Sequence, residues 1–127
     1  MPAYVATRVQ RLLNNHRKPV NGSTILMLGV TYKPDIADQR ESPARPVAKR
    51  LLELGADLSY HDPYVPIWEV NGLRLECVPD PLAAARDADL VLLVQPHTTY
   101  DLDAISAAAL LLFDTRGKLA GRHVERL

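Results

Sequence analysis

The stretch Thr24-Ile25-Leu26-Met27-Leu28-Gly29-Val30-Thr31-Tyr32-Lys33-Pro34-Asp35-Ile36-Ala37-Asp38-Gln39-Arg40-Glu41-Ser42-Pro43 decides the fold. It opens as an unbroken apolar run, the pattern of a strand buried on both faces. It continues as a polar loop with a lysine, an arginine and several acids, and closes on a helix-start signal. Ser42 is placed to cap free backbone N–H groups, and Pro43 suits a first helical position, where its missing N–H costs nothing. Strand, loop and helix N-terminus in that order make the edge at which open α/β sheets bind ligands, outside the carboxyl ends of the strands.

Working outward, Pro43 to Leu54 is predicted to be a helix with Val47, Leu51 and Leu54 on its inward stripe. Gly55 follows as the terminating residue, and Ala56 to His61 reads as a second strand, completing a right-handed βαβ unit. Two further runs, Leu90 to Val94 and Leu110 to Asp114, read as buried strands, with helices expected over Pro81 to Ala85 and Leu102 to Ala109. Val124 to Leu127 is an edge-strand candidate. Asp62-Pro63-Tyr64-Val65-Pro66 ends the second strand with two prolines and opens an irregular segment, and Leu73 to Val78 is read as one short alternating strand. Ahead of the sheet, residues 2 to 15 form an amphipathic helix with Val5, Val9, Leu12 and Leu13 on one stripe. Its stripe needs a partner in this domain, in another domain or in a second subunit. The expectation is an α/β, Rossmann-like three-layer sandwich with a mainly parallel doubly wound sheet, preceded by one N-terminal helix.

Composition narrows the function classes. Fifteen basic and fifteen acidic residues balance to a formal charge of +0, so no overall field favours nucleic acid or an acidic membrane. No apolar run approaches the ~18 residues of a membrane span. The single cysteine, Cys77, excludes an internal disulfide and suits a reducing, cytoplasmic setting. No grouping of ligand-type residues points to a metal site.

The chemistry lies in the loop. Gly29 is the only glycine in the turn Gly29-Val30-Thr31-Tyr32-Lys33-Pro34 that follows the first strand, so the G-x-G-x-x-G turn that lets a backbone approach a dinucleotide pyrophosphate is missing. Side-chain charge stands in its place. Lys33 offers a point charge just past the strand, and Arg40 a planar fork beside the helix start. Arg116, in Phe113-Asp114-Thr115-Arg116, emerges on the same sheet edge. Each has a plain alternative as a solvated loop residue, with Arg40 paired to Asp38 or Glu41. Cys77 has no base beside it and reads as a small buried thiol. His61 and His97 sit at strand ends, where capping or solvent contact is the commoner role, and Asp35, Asp38 and Glu41 suit a helix N-terminus for dipole reasons. No catalytic constellation is apparent.

The run from Leu28 to Ala44 resembles the signature of the C-terminal domain of UDP-glucose/GDP-mannose dehydrogenases, L-G-x-[AST]-[FY]-K-x-x-x-x-D-x-R-E-S-P. Asp62-Pro63-Tyr64-Val65 and the D-x-R at Asp114 to Arg116 match as well, and the opening residues look like the end of that family's central helix. The resemblance implies residues 1–19 as the end of a central linker and dimerisation helix and 20–127 as a nucleotide-sugar-binding domain. It implies that Tyr32, Lys33 and Arg116 contact a UDP-sugar and that Arg40 reaches NAD bound mainly by a separate N-terminal domain. The family's enzymes oxidise a sugar CH2OH to a carboxylate with two NAD+, in cytoplasmic homodimers serving polysaccharide biosynthesis. The catalytic cysteine, in a G-x-C-x-P segment, and the glycine-rich NAD domain are not in this sequence, so inactivity alone is the expectation. The alternative is a non-catalytic interaction or dimerisation module with a vestigial crevice.

Overall fold

The computed structural model describes residues 2–38, 40, 42–117 and 124–126. Helix α1 (Pro2–Asn15) precedes strand β1 (Thr24–Leu28), helix α2 (Ala44–Glu53) and strand β2 (Asp57–His61). A hairpin of β3 (Trp68–Val70) and β4 (Leu73–Leu75) follows. Helix α3 (Pro81–Asp87), strand β5 (Leu90–Leu93), helix α4 (Leu102–Ala108), strand β6 (Leu112–Asp114) and strand β7 (Val124–Arg126) complete the order.

The main sheet runs β2-β1-β5-β6-β7, and every pairing in it is parallel. Counting only its own strands, that is the order 2-1-3-4-5, a doubly wound sheet whose winding reverses between β1 and β5. The continuous apolar runs follow from this, because both faces of β1 and β5 are covered. Ile25, Met27, Leu90, Leu92 and Phe113 face α1 and α2. Leu26, Leu28, Val91, Leu93 and Leu112 face the side of α3 and α4. Alternate residues of one strand thus feed two separate cores, and each fully buried Leu or Ile contributes about 1.5–3 kcal/mol.

Helix α1 finds its partner within the domain. Val5, Val9 and Leu13 are buried in the same core as Val47, Ala48 and Leu51 of α2. Arg8 crosses to β7, where it pairs with Glu125, and its guanidinium carbon lies 5.2 Å from the Phe113 ring centroid. Helix α2 starts at Ala44, whose N–H donates to Ser42 Oγ at 3.1 Å. At its end the Gly55 N–H bonds Leu52 O and the Ala56 N–H bonds Leu51 O, a Schellman motif.

Two expectations need correction. Leu73 to Val78 is not one strand: β4 stops at Leu75 and pairs antiparallel with β3, in the segment expected to be irregular. The Asn71-Gly72 turn between them has φ of +56° and +77°, the mirror-image turn that matches strand twist. Cys77 then makes a single parallel bridge to Tyr60 beside β2. The edge strand at the C-terminus is present as β7, while Glu41 and His123 lie outside the described residues.

Candidate functional site

The winding reverses between β1 and β5, the position at whose carboxyl edge open α/β sheets hold ligands. There the exit of β1 packs directly on that of β5, Gly29 against Gln95. Gly29 has φ +79°, and a Cβ there would lie 2.3 Å from the Gln95 carbonyl oxygen and 2.7 Å from its Cβ. Gly29 is thus demanded by the packing of one exit loop on the other.

Buried Gln95 joins three segments. Its Nε2 donates to the Tyr32 carbonyl at 2.9 Å, and its Oε1 accepts from Arg116 Nη1 at 2.8 Å. Arg116 is aimed by its own strand end, since Asp114 Oδ1 accepts from the Arg116 and Gly117 N–H groups at 2.9 and 3.0 Å. Tyr32 and Lys33 are exposed, with Lys33 Nζ 5.7 Å from the Tyr32 ring centroid. The three residues expected at a UDP-sugar site therefore share one edge, two of them joined through Gln95.

Arg40 stands apart at the far end of the loop. Its Nε and Nη2 donate to Asp38 at 3.0 and 3.1 Å, and its side chain is 87% exposed. The pairing with Asp38 is the plain alternative noted above; it leaves the outer face of the guanidinium free for an anion.

Behind the loop lies a buried polar network that residue type and position did not disclose. Asp62 has a fully buried carboxylate that accepts from Val30 N–H at 2.7 Å, Tyr64 N–H at 2.8 Å and His97 Nε2 at 2.9 Å. Burial disfavours its charge, but these donors prevail and hold it below the usual carboxylate range. His97, expected at a capping or solvent-facing position, is instead buried, and its Nδ1 accepts from Asp35 N–H at 2.8 Å. Those partners place the imidazole proton on Nε2. Asp35 has φ +64°, and its carboxylate accepts from the Thr98 N–H at 2.8 Å and hydroxyl at 3.1 Å. Asp35 and Asp38 thus act as tethers, where helix-dipole chemistry was the expected reason for them. His61 contacts the Tyr100 hydroxyl at 3.1 Å, and burial lowers its pKa. Cys77 is half-buried.

A parallel sheet of this order, with Lys33 and Arg116 on the carboxyl edge at its reversal point, is a doubly wound α/β domain. The profile described as UDP-glucose/GDP-mannose dehydrogenase family, UDP binding domain, matches residues 26–121. The UDP-N-acetyl-D-mannosamine dehydrogenase of Methanococcus maripaludis is 32% identical over 128 residues, covering 94% of this chain and 28% of the relative. The UDP-glucose 6-dehydrogenase of Rhizobium meliloti is 34% identical over 83 residues, 59% of this chain and 17% of the relative. Among solved structures, the NDP-N-acetyl-D-galactosaminuronic acid dehydrogenase of Methanosarcina mazei superposes with a TM-score of 0.79 at 24% identity, over 100% of this chain and 28% of that one. The UDP-N-acetyl-mannosamine dehydrogenase of Staphylococcus aureus gives 0.68 at 28% identity, over 99% and 30%. The chain belongs to the UDP-glucose/GDP-mannose dehydrogenase family and corresponds to its UDP-binding domain. It spans 28% of the length of the Methanococcus relative.

Proposed function

We propose that this carboxyl edge binds the nucleotide half of a UDP-sugar within an NAD-dependent dehydrogenase that oxidises a sugar CH2OH to a carboxylate. The observation that carries this reading is the Gln95 bridge, which ties the Tyr32 backbone and the Arg116 guanidinium to one side chain at the winding reversal. In this role Arg116 presents its remaining N–H groups to the diphosphate or uridine end. Lys33 supplies a mobile point charge to phosphate oxygens, and the Tyr32 ring supplies an exposed apolar face with a hydroxyl. NAD would accept the hydride; Arg40 is the group of this chain suited to its phosphates, exchanging or sharing Asp38. The nucleophile and most of the NAD site belong to other parts of the parent enzyme, and Cys77 has no part in the chemistry. Residues 1–19 are read as the end of the helix leading into the domain 20–127. The parent is read as a cytoplasmic homodimer that supplies acidic sugar nucleotides for polysaccharide biosynthesis. The interaction-module alternative loses its main ground, since the stripe of α1 is consumed by this domain's own core.

The test is a titration of the chain with UDP and UDP-glucose, followed by amide NMR or calorimetry. Lys33→Ala and Arg116→Ala each remove one charge-assisted contact, so about 10- to 100-fold weaker binding is expected. Binding unchanged in both variants, or absent from the unmodified chain, overturns the assignment.

A further inference from the structure

The Asp62–His97 pair is costly to bury and serves no obvious end in stability. Both side chains are 0% exposed, and apolar residues of similar volume are commonly as stabilising as such a pair. What the pair touches is informative. Asp62 accepts from the first free N–H of the β1 exit, Val30, at 2.7 Å. His97 accepts from Asp35 N–H at 2.8 Å, further along the same loop. Thr98, next to His97, holds the Asp35 carboxylate through its N–H at 2.8 Å. Between these anchors the chain carries Tyr32 and Lys33, and Thr31 Oγ1 donates to the Lys33 carbonyl at 2.7 Å. The left-handed residue at Asp35, φ +64°, is the bend that turns the loop back, and it sits at the His97 contact. Such a conformation in a non-glycine residue persists where its surroundings over-determine it.

We infer that His97, oriented by Asp62, is a positioning residue for nucleotide binding: its Nδ1 holds the Asp35 N–H, and thereby sets the loop that presents Tyr32 and Lys33. This rests on the proposed UDP-binding role of the carboxyl edge. Its physical content is pre-organisation, because a loop ordered before binding spares the ligand that entropic cost. The ring nitrogens do separate jobs: Nε2–H donates to Asp62, and the Nδ1 lone pair accepts from the loop.

That division supplies the test. An Asn side chain can place an oxygen at the Nδ1 position, and a Gln side chain can place its amide nitrogen at the Nε2 position. His97→Gln keeps a donor to Asp62 and loses the acceptor for Asp35 N–H. His97→Asn keeps that acceptor and leaves Asp62 short of a donor. UDP titrations and urea midpoints of both variants should therefore separate. His97→Gln is expected to weaken UDP about tenfold, and His97→Asn by no more than about threefold while losing more stability. Asp35→Gly, at an exposed position where glycine accepts the positive φ, removes the Thr98 tether with the core intact; about fivefold weaker binding is expected. Binding by His97→Gln within about twofold of the unmodified chain, or equal losses in the two His97 variants, overturns the inference while leaving the UDP site standing. If the His97 variants do not fold, hydrogen exchange at the Asp35 amide of the unmodified chain decides: protection is expected, and exchange as fast as that of an unbonded loop amide overturns the inference. An unmodified chain that does not bind UDP fails at the earlier step and removes the basis of both readings.

Discussion

Asp62→Asn is nearly isosteric and leaves no cavity, so its cost comes from hydrogen bonding and charge alone. The native carboxylate receives three donors: Val30 N–H and His97 Nε2 on Oδ2, and Tyr64 N–H on Oδ1. An Asn can turn its oxygen toward Val30 and His97, which places its NH2 against the Tyr64 N–H and orphans that donor. The reverse orientation orphans two. The better choice weakens two charge-assisted bonds to neutral ones, about 1 kcal/mol each, and leaves one part-buried N–H unpaired at about 1–2 kcal/mol, or about 3–4 kcal/mol in all. That is a large share of the roughly 5–15 kcal/mol that separates folded from unfolded states. For a chain of this size it corresponds to a melting temperature lower by about 10–14 °C. The pH dependence gives a second signature. The native Asp62 pKa is depressed, so its charge contributes stability fully above the unfolded value of about 3.9 and loses that contribution as pH falls through the lower folded value. Urea unfolding of both proteins from pH 7 to pH 2 should show the gap widest at pH 7 and closing on the acid side of pH 4. A gap below about 1 kcal/mol at pH 7, or one that grows on acidification, refutes the reasoning.

Gly29→Ala adds a Cβ 2.3 Å from the Gln95 carbonyl at φ +79°, so the β5 exit must shift and the left-handed strain is added. A loss of about 2–4 kcal/mol by urea unfolding and weaker UDP binding are expected, because Gln95 also holds Tyr32 and Arg116. Leu13→Ala empties a fully buried site shared by α1 and α2 and should cost about 2–5 kcal/mol in the same assay; a cost near zero would mean that α1 is not part of this core.

The sheet was legible because its signals are local and redundant. Ile25 to Leu28 and Leu90 to Leu93 are apolar without interruption, the pattern of a strand covered on both faces. The hairpin escaped because the two prolines at 63 and 66 outweighed Asn71-Gly72, although that pair is the strongest short-range hairpin signal. The cationic half of the site was legible for the same local reason: a lysine just past a buried strand and an arginine just past another have the carboxyl edge as their common destination.

The other half of the site depended on pairings that no local window contains. His97 is 35 residues from Asp62 and 62 from Asp35 in the chain, so its hydrogen bonds to them exist only once β1, β2 and β5 are in register. A histidine flanked by Pro96 and Thr98 reads as a loop residue, and loop residues are usually solvated. The topology, once known, changes that expectation. The exits of β2, β1 and β5 are consecutive along one edge, so the residues just beyond each strand, Asp62, Val30 and His97, are neighbours by construction. The sequence-distant partners of a doubly wound sheet are therefore best sought by aligning strand ends in the sheet order, and the polar residues within a few positions of those ends are the candidates. Asp62, Gln95, His97 and Asp114 are among those residues, and each bonds an exit-loop segment that carries a proposed ligand-binding residue or anchors the loop that does.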